Sequence, residues 1–527
     1  MTLLKYIHKY WFFIIISFSI ILYFVSLINR APHLDDAWLG EHSYWLAKDG
    51  IVKSKLMTGF AGSEDRLLLH HKFFTIQGAL FIYIFGFHLA ILKTISFIYT
   101  ILFGISFWVL VKKISIDFDS KTKILALWLI FYNPLMFEFS YVFRPDVMLM
   151  TLGFISFAFI FLSLKEDKIL LYSSLAGVFA GLAVFAHLNG IIFAAAGFLV
   201  YLFRWKPKQL LFYSIVGFIC SLGYFYDFRS FSDFGIWYDQ LTFVPTAKAD
   251  TLNPILQLVI NIFGEHKRYF HSPHEIIFSV STIFCLIINR KKLFENQSLL
   301  LQYLLFAVLS LAVFALNKTS KYLILLLPFF AIIIFQTLLD LTLIPETAIN
   351  KINWKKNTLI GLLFIFTCIA SIFNYKTSIN KYDSKLNSSF TARFAPNNTN
   401  QTSVLAPMEF IYDEMGKYKS IVSLMSFSER MKIDTSLVGE GILRKTRLEN
   451  IDILYFTEYY RNKFGMKEYP KGGTVENYLC VYADNEMTVW DGRKFEINDS
   501  ISTNYDSGKP VRLAYRVGPF NYSSAFK

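Results

Sequence analysis

The chain has 527 residues, of which 54% are hydrophobic and 18% aromatic, and its mean hydropathy is +0.42. This composition is too apolar for a soluble protein. A net charge of +13 and an isoelectric point near 9.2 would indicate nucleic-acid binding in a soluble chain. Here the Lys and Arg residues cluster in short loops between apolar stretches, so we interpret the charge as a signal of membrane topology.

Most apolar residues lie in runs of roughly 15 to 25, the length at which a helix crosses a bilayer. The first run is too long for a signal peptide and has no small-residue cleavage site, so we expect it to be a retained signal-anchor. The pattern predicts about eleven spanning helices, at residues 10–29, 86–111, 124–138, 147–164, 170–186, 188–203, 209–226, 275–289, 298–316, 322–344 and 358–374.

The basic loops set the direction of these spans. With the spans above, all of them fall on one face, which the positive-inside rule makes cytoplasmic. They contain Lys5/Lys9, Lys112/Lys113/Lys121/Lys123, Lys165/Lys168, Arg204/Lys206/Lys208, Arg290/Lys291/Lys292 and Lys351/Lys355/Lys356. The protein is therefore predicted to be integral to the cell (inner) membrane, with a cytoplasmic N-terminus and an extracytoplasmic or periplasmic C-terminus.

Two larger loops are predicted on the outer face. The first, residues 30–85, is aromatic and includes a surface-lying helix at 38–48. The second, residues 227–274, ends in His271-Ser272-Pro273-His274. Two histidines in a polar loop are typical of plain surface, so we do not interpret them as a metal site.

The composition changes after the last span. Residues 1–375 form the predicted membrane module, 376–402 an Asn-, Ser- and Thr-rich linker, and 403–527 a soluble extracytoplasmic domain. Short apolar runs at 420–424, 451–456 and 478–482 predict strands and 408–418 a helix, which indicates a small α/β domain. Cys480 is the lone cysteine of this domain, so it is expected to hold by its own core without a disulfide.

Several ionisable residues collect at the predicted outer face. They are Asp35, Asp36, Arg144, Asp146, His187 and Lys321. Ionised groups near hydrocarbon are costly and usually functional. Lys318 and Lys321 also breach the positive-inside rule in a short loop, which favours a role in binding an anion such as phosphate.

Five short motifs follow one another along residues 1–345. They are Pro32-His33-Leu34-Asp35-Asp36-Ala37 with Tyr44 to Gly50, His71-Lys72-Phe73-Phe74 with Phe85-Gly86-Phe87, Arg144-Pro145-Asp146, Gly181-Leu182-Ala183 with His187 and Gly190, and Lys318 with Lys321-Tyr322 and Pro328. In this order the set resembles GT-C glycosyltransferases, in particular the protein O-mannosyltransferase and lipid A aminoarabinose transferase superfamily (dolichyl-phosphate-mannose-protein mannosyltransferase-like).

The resemblance implies a GT-C fold and transfer of a sugar from a polyprenyl-phosphate donor. Asp35 matches the first acid of the family's pair and is implied as the general base. Asp36 is implied either to position the acceptor or to titrate together with Asp35. Because such enzymes generally invert the anomeric carbon, one base suffices.

The same resemblance implies a set of substrate-binding residues. They are Tyr44, His71, Lys72, Arg144, Asp146, His187, Lys318, Lys321 and Tyr322. The chain departs from the family at two places: His187 stands where many relatives have Lys, and His70-His71-Lys72 replaces a Lys-Pro-Pro run. Lys72 is preferred there as the always-charged phosphate donor.

Structural roles compete with several of these assignments. Asp35 and Asp36 are also suited to capping a helix that begins near Ala37, and Asp146 to capping the fourth span. Arg144 is also suited to anchoring at the interface, and His187 to a structural hydrogen bond.

The predicted function is that of an extracytoplasmic, inverting glycosyltransferase, a hexosyl- or pentosyltransferase, that modifies an envelope glycan, lipid or protein. No cofactor is required, and no ligand spacing predicts a metal site, although Asp35, Asp36 and Asp146 have the ligand chemistry for a divalent cation. The alternatives are a transporter or flippase and an enzyme of the O-antigen ligase or polymerase type. The early acid pair disfavours the ligase, and charges gathered at one face disfavour the transporter.

Overall fold

The computed structural model describes residues 30–114, 118–242, 254–315, 318–342, 349–379, 385–395, 399–432, 434–468, 470–485 and 487–493, with isolated positions between 16 and 27. The N-terminal part of this range is helical. Its α-helices are Leu34–Asp49, Lys72–Phe85, Leu89–Ile114, Ser120–Tyr132, Pro134–Phe139, Asp146–Lys165, Ile169–Ala186, Ile191–Phe203, Pro207–Ser221, Asp233–Thr242, Pro254–Phe263, His266–Tyr269, Pro273–Ile288, Arg290–Asn296, Ser298–Phe314, Leu327–Thr342 and Ile349–Ile379. Short 3₁₀ turns are Leu188–Gly190, Leu222–Phe225 and Ser320–Leu326.

Six of the described helices are long and apolar enough to cross a membrane, and up to eight if each of two bent helix pairs counts as one span. The six correspond to six predicted spans, and the bent pairs contain those at 275–289 and 298–316. The span predicted at 188–203 is a shorter apolar helix. Residues 10–29 lie largely outside the described residues.

The prediction of one continuous helix at 124–138 is wrong. The structure has two short helices, Ser120–Tyr132 and Pro134–Phe139, separated by Asn133 in an extended conformation. Pro134 explains the break, because proline has no N–H to donate and disfavours helical backbone in the residue before it.

Two helical spans occupy the centre of the membrane module. In Asp146–Lys165 and Ser320–Thr342, 83% of the apolar window is buried, against 17–39% in the other four long spans. The other four long spans surround these two and have mostly unburied residues at the periphery of the helix bundle, as expected of helices that face lipid. Asp146 begins one central span, and Lys321 with Tyr322 begins the other.

Glycines allow two of these helices to approach closely. A Cβ on Gly177 would lie 2.5 Å from the carbonyl oxygen of Tyr213, and one on Gly181 would lie 2.4 Å from that of Gly217. Small residues spaced by four let helix backbones touch in membranes. Helices Ile169–Ala186 and Pro207–Ser221 are therefore packed backbone to backbone, and part of the Gly181-Leu182-Ala183 motif serves this packing.

The C-terminal part is a six-stranded mixed sheet with small helices. Its strands are β1 Ser403–Ala406, β2 Ser420–Ser423, β3 Ile453–Thr457, β4 Thr474–Val475, β5 Tyr478–Ala483 and β6 Met487–Asp491, in the order β2-β1-β3-β6-β5-β4. Its helices are Lys385–Phe394, Ile411–Glu414, Leu424–Arg430, Gly441–Leu448 and Glu458–Phe464, with 3₁₀ turns Thr399–Gln401, Met408–Phe410 and Thr435–Leu437.

The sheet confirms the predicted α/β character of the tail. β1 is parallel to β2 and β3, whereas β3, β6, β5 and β4 pair in antiparallel fashion. The three predicted strands are β2, β3 and β5. The helix predicted at 408–418 is shorter than expected and ends before Gly416, whose φ of 83° lies in the left-handed region that stops a helix.

One face of this sheet packs on the first outer loop. Leu56 and Met57 of that loop share an apolar cluster with Phe410 and Tyr455, and the carbonyl oxygen of Leu56 accepts a 3.0 Å hydrogen bond from the backbone N–H of Ser423. The opposite face has a separate core that includes Leu454 and Trp490. The tail thus holds partly by its own core, as predicted, and partly by a core shared with residues near the N-terminus.

Candidate functional site

The acid pair sits in the first turn of helix Leu34–Asp49, which we call the first outer helix. His33 is its N-cap: the Nδ1 of His33 accepts a 3.1 Å hydrogen bond from the backbone N–H of Asp35, and the carboxylate of Asp36 accepts a 2.6 Å bond from the backbone N–H of His33. The helix therefore begins at Leu34, earlier than Ala37. Asp36 does serve the cap, from inside the helix, whereas the carboxylate of Asp35 is directed to other partners.

Asp36 is enclosed by protein. Its side chain is buried, and its second oxygen accepts the backbone N–H of Phe143. The ammonium of Lys93 lies 3.5 Å from its carboxylate. These contacts tie the first outer helix to the loop before residue 144 and to helix Leu89–Ile114. Asp36 is thus positioned to hold Asp35 in place.

Asp35 meets two cations from the ends at which the two central spans begin. Its carboxylate pairs with the guanidinium of Arg144, and the Nζ of Lys321 lies 3.9 Å away. The side chain of Asp35 is 17% exposed, so a small part of its surface is open to contact from beyond the protein. Burial alone would raise the pKa of Asp35, but the charge of Arg144, with those of His33 and Lys321, lowers it well below its usual range.

Arg144 lies between two carboxylates. Its Nε donates a 2.7 Å hydrogen bond to Asp146, while its Nη1 pairs with Asp35. The guanidinium also rests over the ring of Phe139 at 5.1 Å from the ring centre. Pro145, not Asp146, occupies the N-cap of the fourth span, so Asp146 is an ion-pair partner and not a cap. The side chain of Arg144 is only 14% exposed and is paired with a carboxylate. An arginine that anchors at the interface would instead extend its guanidinium into water.

Two histidines stack beside this ion-pair group. The rings of His71 and His187 lie 4.3 Å apart and nearly parallel, and Tyr322 meets His187 edge to face at 6.4 Å. The Nδ1 of His187 accepts a 2.9 Å hydrogen bond from the backbone N–H of Asn189. Burial, together with the nearby charge of Arg144, lowers the pKa of His187 to about 4 despite Asp146. His187 is therefore uncharged at neutral pH.

The turn that carries His187 depends on close backbone packing. A Cβ on Gly190 would lie 2.2 Å from the carbonyl oxygen of Ala183, so only glycine fits there. The motif of Gly181, Ala183 and Gly190 thus shapes the helix crossing and the turn that present His187.

These contacts define one group, which we call the outer cluster: Asp35, His71, Arg144, Asp146, His187, Lys321 and Tyr322. It gathers side chains from five separate segments at the start of the two central spans. It contains both anions and cations, with neutral imidazole and phenol groups beside them. Such a cluster can exchange a bound carboxylate for a substrate anion and can accept a proton.

The sequence matches no protein-family model and no curated protein. The fold does match solved structures. The oligosaccharyltransferase of Archaeoglobus fulgidus in the apo form aligns with a TM-score of 0.56 at 11% identity, over 85% of this chain and 70% of that one. ArnT from Cupriavidus metallidurans bound to undecaprenyl phosphate aligns with a TM-score of 0.54 at 10% identity, over 92% and 98%.

This chain has the GT-C fold. A third structure agrees: the archaeal oligosaccharyltransferase AglB from Archaeoglobus fulgidus, in complex with an inhibitory peptide and a dolichol-phosphate, aligns with a TM-score of 0.53 at 12% identity, over 86% of this chain and 70% of that one. The match to ArnT covers nearly all of both chains, C-terminal part included. The predicted GT-C membrane architecture is confirmed.

Lys72 lies outside the outer cluster of this GT-C fold. Its side chain is buried, and its ammonium is 2.6 and 2.7 Å from the two oxygens of Asp227. The Nε2 of His70 lies 3.0 Å from the same carboxylate. The charge of Lys72 is therefore compensated inside the protein.

Lys318 and Tyr44 also lie apart from the cluster. The ammonium of Lys318 is 3.0 Å from the carboxylate of Glu265. The ring of Tyr44 packs against Phe87, and its hydroxyl faces Gly416 of the C-terminal domain. Their assignment to substrate binding stays a prediction from the sequence.

Sequence reasoning missed two members of the site region. His33 stands in the quoted motif, but only the structure shows that it caps the helix and reaches Asp35. Arg268 is buried, pairs with Glu265 at 2.7 Å and lies 5.4 Å from the centre of the Tyr322 ring. A 105° bend between helical segments 258–269 and 273–288 brings it there. Ser272, Pro273 and Glu275 are a sequence signal for a new helix at this point, but not for the angle of the bend.

The acids of the site do not group as metal ligands do. Among the described residues, no set of three or more His, Cys, Asp or Glu side chains is placed to hold a metal ion. Asp35 and Asp146 instead share Arg144.

Proposed function

We propose that this protein is a membrane glycosyltransferase that moves a sugar from a polyprenyl-phosphate donor to a cell-envelope glycan, lipid or protein. The observation that carries the proposal is the partly exposed carboxylate of Asp35, held against Arg144 and Lys321 at the start of the two central spans. The GT-C fold, shared with ArnT bound to undecaprenyl phosphate and with an oligosaccharyltransferase in complex with a dolichol-phosphate, supports the choice of donor.

The cations of the outer cluster are suited to the donor phosphate. Arg144 supplies a planar set of N–H donors, and Lys321 supplies a mobile ammonium that is 27% exposed. The N-terminal ends of the two central spans add partial positive charge, which favours bound anions. Both features stabilise the charge that develops as polyprenyl phosphate leaves.

Donor binding would also activate the base. In the free protein, Arg144 and Lys321 hold the pKa of Asp35 well below its usual range, which makes it a weak base. A phosphate that engages both cations competes with Asp35 for them. As these ion pairs loosen, the pKa of Asp35 rises and the carboxylate becomes able to take a proton.

The chemical step then needs a single displacement. The acceptor hydroxyl attacks the anomeric carbon while Asp35 takes its proton, a new C–O bond forms, and the bond to the phosphate oxygen breaks. The polyprenyl phosphate leaves with the bonding electron pair, and the configuration inverts. Asp36 positions Asp35 through the cap, and His71, His187 and Tyr322 offer uncharged hydrogen-bonding groups to the sugar. The proposed step uses no cofactor.

The orientation follows the basic loops. By the positive-inside rule they favour a cytoplasmic N-terminus, with the outer cluster and the C-terminal domain on the extracytoplasmic side. The fold and its spanning helices are those of an integral membrane protein.

The test is a transfer assay with a panel of radiolabelled polyprenyl-phosphate sugars and envelope acceptors, using the full chain in membranes. We expect turnover of one donor, and a fall of about 10²- to 10⁴-fold for Asp35→Asn, the range lost with a general base. Asp65→Asn, an exposed acid of the same loop, is the matched control and should keep full activity. Turnover that survives Asp35→Asn would refute the assignment of the base.

A further inference from the structure

A cavity of about 230 Å³ lies between the first outer helix and the C-terminal domain. The helix and the loop after it contribute Trp45 and charged residues of both signs, namely Glu41, Lys48, Asp49, Lys53 and Lys55. The domain side contributes Lys419 beside Tyr418. The two walls are separated by more than 350 residues in the sequence, so only folding brings these lysines together.

Three of the lysines surround one indole ring. The ammonium groups of Lys48, Lys53 and Lys55 lie 5.4, 4.4 and 5.0 Å from the ring centre of Trp45. Cation–π attraction contributes to their position, and the indole N–H donates a 2.9 Å hydrogen bond to Glu41. Trp45 is therefore a rigid platform that gathers positive charge at the cavity wall.

Two carboxylates of the same lining, Asp49 and Glu41, compensate part of the charge of the four lysines. Asp49 pairs with Lys53 at 2.5 Å. Glu41 points inward, where it accepts hydrogen bonds from Ser54, Trp45 and the backbone of Lys55 and Leu56. Lys48, Lys55 and Lys419 keep a surplus of positive charge at one cavity. Like charges repel at such distances unless an anion separates them.

The position of the cavity relates it to the outer cluster. Trp45 follows Asp35 by ten residues on the same helix, which corresponds to about 15 Å along the axis. The cavity is smaller than the roughly 300–1,000 Å³ of pockets for drug-sized ligands, so it suits one charged group and not a whole molecule. An acceptor that reaches both places must be extended and must carry an anion some distance from its reacting hydroxyl.

We propose that this cavity binds a phosphate or carboxylate group of an acidic oligosaccharide acceptor while the hydroxyl to be glycosylated lies at Asp35. An oligosaccharide supplies both many hydroxyls and regularly spaced anions. The proposal rests on the proposed function for the identity of the reaction, but binding in the cavity is measurable without turnover.

The test uses the full chain in phosphatidylcholine nanodiscs and two fluorescently labelled probes, oligogalacturonate and its neutral methyl ester. We expect the acid to bind and the ester not to bind. The variant Lys55→Gln/Lys419→Gln should weaken binding of the acid by about tenfold or more, the usual scale for loss of charged hydrogen bonds. Lys55→Arg/Lys419→Arg should keep it, which separates loss of charge from loss of folding.

A matched control removes two lysines that do not line the cavity, Lys445→Gln/Lys467→Gln, and should bind the acid as the wild type does. Equal binding of acid and ester, or equal loss in the control, overturns the proposal. Poly-aspartate binding as tightly and with the same sensitivity overturns the saccharide assignment in favour of an acidic polypeptide. Absence of transfer with intact, lysine-dependent binding would refute the proposed function and leave the cavity assignment standing.

Discussion

The ammonium of Lys93 lies 3.5 Å from the carboxylate of Asp36, and both side chains are buried. Lys93 also donates to the backbone carbonyls of Arg30 and Ala31 at 3.2 and 3.1 Å. This pair joins the start of the first outer helix to helix Leu89–Ile114. The two neighbouring acids thus have different roles. Asp36 anchors the first outer helix, and Asp35 belongs to the outer cluster.

Asp36→Asn should therefore destabilise the protein. The change leaves Lys93 as an uncompensated buried charge, a situation that costs about 3–5 kcal/mol. We expect a lower midpoint of thermal unfolding in detergent, and partial recovery when Lys93→Met is added, because the orphaned charge is then removed. An unfolding midpoint equal to that of the wild type, combined with lost transfer, would instead assign chemistry to Asp36.

The sequence predicts the positions of helices and strands better than it predicts which residues pair between them. Hydrophobic runs locate most of the spans, because a span follows from local composition, and the loop charges predict which face is the outer one. The motifs supply Asp35, Arg144 and Lys321, which the structure brings together. The sequence does not show that Lys72 is compensated by Asp227, since that pairing joins residues 155 positions apart through helix packing.

The apolar core shared by the first outer loop and the C-terminal domain could not be predicted from the sequence either. Met57 of the first outer loop packs in one cluster with Tyr455 of β3. Each residue alone is typical of any buried apolar position, and nothing local marks them as neighbours. The cavity between the two parts depends on this docking, so its lysines were not recognised as a group.

Lys321→Gln should shift the pH dependence of transfer. Lys321 is one of the charges that lower the pKa of Asp35, so its removal raises that pKa. Because the base must be ionised, the acid limb of kcat/KM should move to higher pH. The donor KM should rise as well, since a phosphate contact is lost. The profile is measured by transfer assays across the acid range.

Lys318→Gln is the comparison for that experiment. Lys318 stands three residues earlier, but its ammonium meets Glu265 at 3.0 Å and not Asp35. We expect its acid limb to coincide with that of the wild type. An acid limb that stays in place in Lys321→Gln, or moves equally in both variants, would contradict the role given to Lys321.

Lys72→Gln should affect folding more than donor binding. The buried ammonium lies between Asp227 and the rings of Tyr224, Tyr226 and Phe228, 5.3 to 5.9 Å from their centres. Breaking such a pair costs about 3–5 kcal/mol, because Asp227 is left without its cation. We expect a lower unfolding midpoint with an unchanged donor KM in the folded fraction.

Adding Asp227→Asn to Lys72→Gln should recover part of the lost stability, as a double-mutant cycle would show. Lys267→Gln, an exposed lysine, serves as the control for loss of charge. A large rise in donor KM without a change in stability would return Lys72 to the phosphate site that the sequence suggested.

Glu41 should make stability fall as pH rises. Burial raises the pKa of this carboxyl from 4.5 to about 7, against hydrogen bonds from Ser54, Trp45 and the backbone that lower it. Between these two values the folded state holds a proton that the unfolded state releases. Stability from this group is therefore full below about pH 4.5 and declines until about pH 7, by roughly 3 kcal/mol in total.

Glu41→Gln mimics the protonated form and should lack this decline. We therefore subtract the unfolding midpoint of Glu41→Gln from that of the wild type, and this difference should be smaller at pH 8 than at pH 5. A difference for Glu41→Gln that is the same at both pH values would refute the raised pKa.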